Sequence, residues 1–131
     1  MSMETTLASW TPRVLSLLRF MSGLLLLQHG TQKILSFPPS GRPPVEIASL
    51  TGVSGLIELV CGTLLVLGLF SRPAAFIASG FTAVAYFMVH APQNFFPIIN
   101  GGELAALYCF VFFYLFFAGP GPWSLDAQLK K

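Results

Sequence analysis

The sequence predicts an all-α integral membrane protein, a four-helix bundle built as one domain over residues 1–131. Three observations predict it. Twelve of 131 residues are charged, 9% of the chain, where a soluble domain carries about 25%. Hydrophobic residues make up 54% and the mean hydropathy is +0.73. The apolar residues gather into four runs, each close to the roughly 20 residues that a spanning helix needs. A chain this small has a high surface-to-volume ratio, and in water it needs charge to cover that surface. Twelve charges exclude a soluble globular enzyme and a disordered tail. A scattered net charge of +2 also lacks the basic stripe of a nucleic-acid binder.

The first helix is expected over about 12–35. The stretch Phe37-Pro38-Pro39-Ser40-Gly41-Arg42-Pro43-Pro44 ends it, because proline fixes φ and removes donors. The second helix is expected over 50–70. Ser71-Arg72-Pro73 makes a tight turn in which Ser71 caps the third helix, over 73–90, and Pro73 suits its first turn. Ala91-Pro92-Gln93-Asn94 stops that helix. The fourth runs over 101–118 and ends at Gly119-Pro120-Gly121-Pro122, leaving a short tail over 119–131. Strands of a membrane barrel would alternate with period two, and runs such as Leu24-Leu25-Leu26-Leu27 do not. The first run has no small-residue cleavage site near its end and reads as a retained helix.

Four spans put both termini on one side. Arg13, Arg72, Lys130 and Lys131 lie there, against Lys33 and Arg42 on the other. The positive-inside rule therefore places both termini in the cytoplasm, with Trp10 and Trp123 near the inner interface. Cys61 and Cys109 sit in separate apolar runs without metal spacing and read as small buried hydrophobes, a redox pair being the lesser alternative. No metal site is expected.

Charges within a bilayer are costly and face the bundle interior or a cavity. At about 100° per residue, Arg19, Ser22, Gly23, Leu26, His29, Gly30 and Lys33 share one face of the first helix. Thr51, Ser54, Gly55, Glu58, Cys61 and Gly62 share one face of the second. Arg19 and Glu58 differ by about 9 Å in depth at 1.5 Å per residue, a gap that an extended arginine nearly bridges. A buried Arg19–Glu58 ion pair is expected. At the outer end His29, Lys33, His90, Asn100 and Glu103 fall at similar depth. Asn100 and Glu103 also have the spacing of a capping box, the plainer account of both. The cluster suits a quinone, whose carbonyls His and Lys can hydrogen-bond, with the uncharged segment 92–99 as its roof. Haem between the two histidines ranks below that. Helix-end anchoring by interfacial His and Tyr needs no ligand at all.

The segment Arg19…Gly23…Gln28-His29-Gly30-x-x-Lys33 resembles the first-helix signature of the DoxX family. So do Gly55-x-x-Glu58-x-x-x-Gly62, Gly68-Leu69-Phe70-Ser71-Arg72-Pro73-Ala74-Ala75, His90 with Phe95-Phe96-Pro97-x-x-Asn100-Gly101-Gly102-Glu103, and Gly119-Pro120-Gly121-Pro122-Trp123-Ser124-Leu125-Asp126. The ordered set runs from about Leu18 to Asp126. The resemblance implies a multi-pass bacterial inner-membrane protein linked to membrane oxidoreductases and to oxidative or thiol stress.

The resulting expectation is a subunit or accessory of a membrane oxidoreductase, with a quinone-like pocket at the outer side. If it is an enzyme at all, it is a quinone-linked one. One alternative is a non-catalytic anchor for a redox or stress-response partner. Another is a small transporter, which with four helices would need a homo-oligomer to make a pore.

Overall fold

The structure, a computed structural model, describes residues 2–43 and 45–130. Pro44 of the proline-rich break and Lys131 of the charge count lie outside the described residues. Among the described residues all regular structure is helical, in the order α1 (Met3–Leu35), α2 (Leu50–Leu67), α3 (Ser71–Ala85), α4 (Pro97–Asn100), α5 (Glu103–Ala118) and α6 (Leu125–Leu129). A π-helical turn, Tyr86–His90, continues α3.

Helix α1 begins nine residues before the expected start. Ser2 caps it, its hydroxyl accepting from the Thr5 N–H at 3.1 Å, and Glu4 lies in the first turn, where the helix dipole favours an anion. The helix then continues through Pro12 without a break. The carbonyl that Pro12 frees belongs to an exposed stretch, where solvent or headgroups can satisfy it. Helix α2 starts on a Ser49 cap and stops at Gly68, whose φ of 69° is the left-handed conformation glycine adopts without cost. That is three residues before the expected end. The segment expected to be loop before the last long helix contains the single turn α4, and α5 starts at Glu103 rather than at 101.

Helices α1 and α2 pack antiparallel and very closely. A Cβ added to Gly30 would meet the backbone of Leu59, and one added to Gly62 would lie 2.7 Å from the Leu27 Cα. Small residues let membrane helices approach in this way. Helix α3 packs on α5 and also on α2. The core between them gathers Leu26, Leu65, Ala75, Ala78, Phe112 and Leu115. Outside that core the long helices turn large apolar side chains outward, as with Phe87, Leu107 and Phe110. Two helical stretches, Leu50–Leu67 and Ser71–His90, are long and apolar enough to cross a membrane; α5 is equally free of charge beyond Glu103 but has 16 residues. Cys61 and Cys109 are both free thiols.

The tail is not a loose end. It folds back across the helix ends where α2 stops and α3 begins. The Asp126 carboxylate accepts from the N–H groups of Phe70 and Ser71, both at 2.9 Å. Asp126 thus caps α3 from 55 residues away in sequence, and the expected Ser71 cap is corrected: Ser71 is the first helical residue and makes no side-chain cap. Arg72 donates to the carbonyls of Phe116 and Phe117 at the end of α5, where the helix dipole favours a cation.

Candidate functional site

The expected Arg19–Glu58 pair does not form. Arg19 is buried and donates to three backbone carbonyls: Nε to Leu65 at 2.9 Å, Nη2 to Trp123 at 2.9 Å, and Nη1 to Pro120. Glu58, 5% exposed, pairs instead with Lys33, Nζ to Oε1 at 2.6 Å; Lys33 also donates to the Ser54 hydroxyl at 3.1 Å. The packing register separates these outcomes: Gly30 lies on Leu59 and Gly62 on Leu27, so along the helix axis Glu58 stands about 3 Å from the level of Lys33 and about 18 Å from that of Arg19 at 1.5 Å per residue. Side-chain direction acts the same way. Helical side chains lean toward their own N-terminus. On α1 Lys33 therefore leans toward Glu58 and Arg19 leans away, into the tail. On antiparallel α2 the direction is reversed, so Glu58 leans toward Lys33. The guanidinium fork then suits three carbonyls at the α2 terminus and the Gly-Pro turn.

Lys33 also lines a cleft of about 450 Å³ at the C-terminal end of α1, with His29, Gln32, Ser36, Ser40, Arg42 and Thr51 among its walls. Every ionisable group on that lining is basic, and the remaining polar side chains can all donate hydrogen bonds. His29 meets Tyr108 of α5 edge to face, ring centroids 6.4 Å apart and planes at 88°. Tyr108 is 7% exposed and its buried hydroxyl has no hydrogen-bond partner among the described residues.

The other expected site residues form a separate group. The π turn closes with the Ala91 N–H donating to Tyr86 O at 2.9 Å. It sets His90 so that Nδ1 lies 3.0 Å from the Asn100 carbonyl; a carbonyl only accepts, so Nδ1 carries the proton. Asn100 is buried, and its side chain is fully engaged. Its Nδ2 donates to Asn94 O and to the Tyr86 hydroxyl, and its Oδ1 accepts from Gly102 N–H at 2.7 Å. Asn100 is therefore the tie of the α4–α5 turn rather than a free ligand group. The expected capping box is corrected too: Gly102 is the N-cap of α5, no side chain caps it, and Glu103 is exposed. Phe95, Phe96, Ile98 and Ile99, expected as a roof, point outward. So His29 and Lys33 share the cleft, while His90, Asn100 and Glu103 belong to the other turn.

Arg42, Gln32 and Thr51 were not singled out for the cleft from sequence. Arg42 lies in an irregular loop, where no periodicity tells which way a side chain points. Thr51 was legible, since it shares the helix face of Glu58.

The DoxX family model matches residues 14–91, from α1 through the π turn. The chain belongs to the DoxX family. The matched part of this DoxX chain contains Arg19, His29, Lys33, Glu58 and His90, but not Asn100, Glu103 or the tail. Two relatives extend further. An uncharacterized protein of Haemophilus influenzae is 44% identical over 131 residues, covering 95% of this chain and 97% of that one. An uncharacterized membrane protein of Mycobacterium tuberculosis is 31% identical over 140 residues, covering 87% of this chain and 80% of that one. No solved structure matches the chain significantly.

Proposed function

We propose that this chain is a multi-pass inner-membrane protein whose four long helices span the bilayer with both termini in the cytoplasm. Its outer cleft takes the head of a quinone, as an accessory subunit of a membrane oxidoreductase. The apolar outward surface, the DoxX membership and the Mycobacterium tuberculosis relative named as a membrane protein support the membrane reading. The observation that carries the ligand reading is the cleft's chemistry: its polar side chains can all donate hydrogen bonds, set among Pro39, Pro43 and Val45, and Lys33 on its wall is held by the buried Glu58 carboxylate. A quinone head presents two carbonyl acceptors and no donor, so a donor-lined wall is complementary to it. His29, Lys33 and Arg42 would hold the carbonyls. Glu58 keeps Lys33 oriented, and the His29–Tyr108 contact fixes the imidazole plane. The quinone supplies the redox chemistry; the chain binds and orients it. The DoxX resemblance is what supports a redox partner.

The test is quinone binding by the purified protein in lipid nanodiscs. A short-chain ubiquinone analogue is expected to bind with at least tenfold loss in Lys33→Ala and Arg42→Ala, and without loss in Glu103→Gln. Equal binding by all four proteins, or none by the wild type, rejects the reading.

A further inference from the structure

Helix α1 is the one long helix that does not fit the thickness of the rest. It has 33 residues, roughly 50 Å at 1.5 Å per residue. Helix α2 has 18 and α5 has 16, roughly 27 and 24 Å. The packing register shows which end is long. Gly30 lies on Leu59 and Gly23 on Leu65, so α2 ends beside the middle of α1. Residues 2–14 are exposed throughout and project beyond it.

That arm is two-sided. Met3, Leu7, Trp10 and Val14 follow the alternating four-and-three spacing of a coiled-coil seam. The same spacing continues without a break into Leu17, Met21 and Leu24, and all seven side chains are exposed. The residues that α1 buries against its own chain, such as Ser16, Arg19, Gly23, Leu26 and Gly30, lie on the opposite face at 100° per residue. Pro12 also falls opposite the seam, where its ring does not disturb a partner.

We propose that this seam is a dimer interface, and that its occupant is a second copy of this chain packed parallel along α1. Lipid covers an apolar face only within the hydrocarbon core. It does not cover Met3 and Leu7, which stand about two turns and one turn beyond Trp10, whose ring carries the Arg13 guanidinium at 4.6 Å, in the manner of an interfacial anchor. An isolated arm of about 12 residues is also too short to be a stable helix in water by itself. Two copies inserted the same way up can only run parallel, and a straight seam that crosses the interface lets one partner helix cover both parts. Glu4 and Arg13 flank the seam on opposite sides, so an in-register pair brings no like charges together. At roughly 100 Å² from each side chain, two copies bury about 1,400 Å², inside the roughly 1,200–2,000 Å² of a stable interface.

Cysteine crosslinking in native membranes tests this. In a background carrying Cys61→Ala and Cys109→Ala, Leu7→Cys and Val14→Cys on the seam are compared with Thr5→Cys on the opposite face. Oxidation is expected to give a band at twice the monomer mass for the two seam positions, at least fivefold stronger than for Thr5→Cys. Met3→Glu with Leu7→Glu is expected to lower the dimer fraction at least tenfold in detergent, with an unchanged monomer melting temperature, because neither residue packs on another element. No dimer band, equal bands at all three positions, or an adduct with a protein of another size overturns the proposal. So does a Leu7→Cys that resists aqueous maleimide yet never crosslinks, the result expected if the arm lies on the membrane surface.

Discussion

Lys33 and Glu58 are the residues whose roles the structure changes most. Both were visible as rare charges in apolar helices, and intramembrane charges demand partners. What spacing did not reveal was which partner, because sequence alone does not fix how α2 slides along α1. The observed register, with Gly30 on Leu59 and Gly55 on Lys33, sets Glu58 beside Lys33, and the lean of the Cα–Cβ bond adds to it. The pair is asymmetric: the Lys33 side chain is 30% exposed and that of Glu58 is 7% exposed. Removing Lys33 therefore strands a buried carboxylate, while removing Glu58 leaves an ammonium that can still reach water. Lys33→Met is expected to destabilise by about 1–3 kcal/mol, less than a fully buried pair because one partner is screened. Glu58→Gln should cost less than Lys33→Met, and the double variant Lys33→Met/Glu58→Leu should recover most of the loss. Thermal melts in detergent across this double-mutant cycle check it; additive losses would mean that the two groups do not act on each other.

The elements divide into those that local sequence determines and those that distant residues determine. Hydropathy and proline breaks placed α2, α3 and α5 within a few residues, because each helix carries its own apolar run and its own stop. The start of α1 was missed because Pro12 reads as a first-turn residue, although Ser2 and Glu4 had already supplied a cap. The start of α3 was placed two residues late, and its cap was assigned to Ser71; the true cap is Asp126, which no local pattern can name. The capping box at Asn100 failed for a related reason: α4 claims Asn100 as its last residue, so the side chain ties the turn instead. Two outcomes belong to this scale. Gly62→Leu drives a side chain into the Leu27 backbone, and overpacking of that kind is expected to cost about 1–3 kcal/mol, read as a lower melting temperature, whereas Gly80→Ala, which meets nothing within 4 Å, should be silent. The Asp126 cap is pH-dependent. Partial burial pushes the carboxyl up, but the Ser71 and Phe70 N–H groups, with Lys130 nearby, outweigh it and hold the pKa below its ordinary 3.8. A depressed carboxylate stabilises fully above its unfolded value and loses that contribution as pH falls through the folded one. The tail should stay docked at pH 7 and 5 and loosen below about pH 4, seen as a change in Trp123 fluorescence. Asp126→Asn should flatten that transition; an unchanged acid transition in that variant would remove Asp126 as its cause.

At the scale of the whole molecule, scarcity of charge made the fold class legible, since a chain with so few charges has only a bilayer in which to expose its apolar faces. The same scarcity gives each remaining charge a large say in orientation. Arg72 and the tail meet at one end of the helices, and Lys33 and Arg42 at the other, so the two ends are chemically distinct. On the proposed reading of four spans with the basic Arg72 side in the cytoplasm, a C-terminal green fluorescent protein fusion should fluoresce and a C-terminal alkaline phosphatase fusion should be inactive. Alkaline phosphatase inserted after Arg42 should be active. The bias is small, so it should also be reversible in part. Arg72→Glu together with Lys130→Glu removes two basic groups from the inner side and should produce a measurable fraction of molecules with the opposite reporter activities. Inactive phosphatase after Arg42 with active phosphatase at the C-terminus would invert the orientation, and would place the donor-lined cleft on the cytoplasmic face instead.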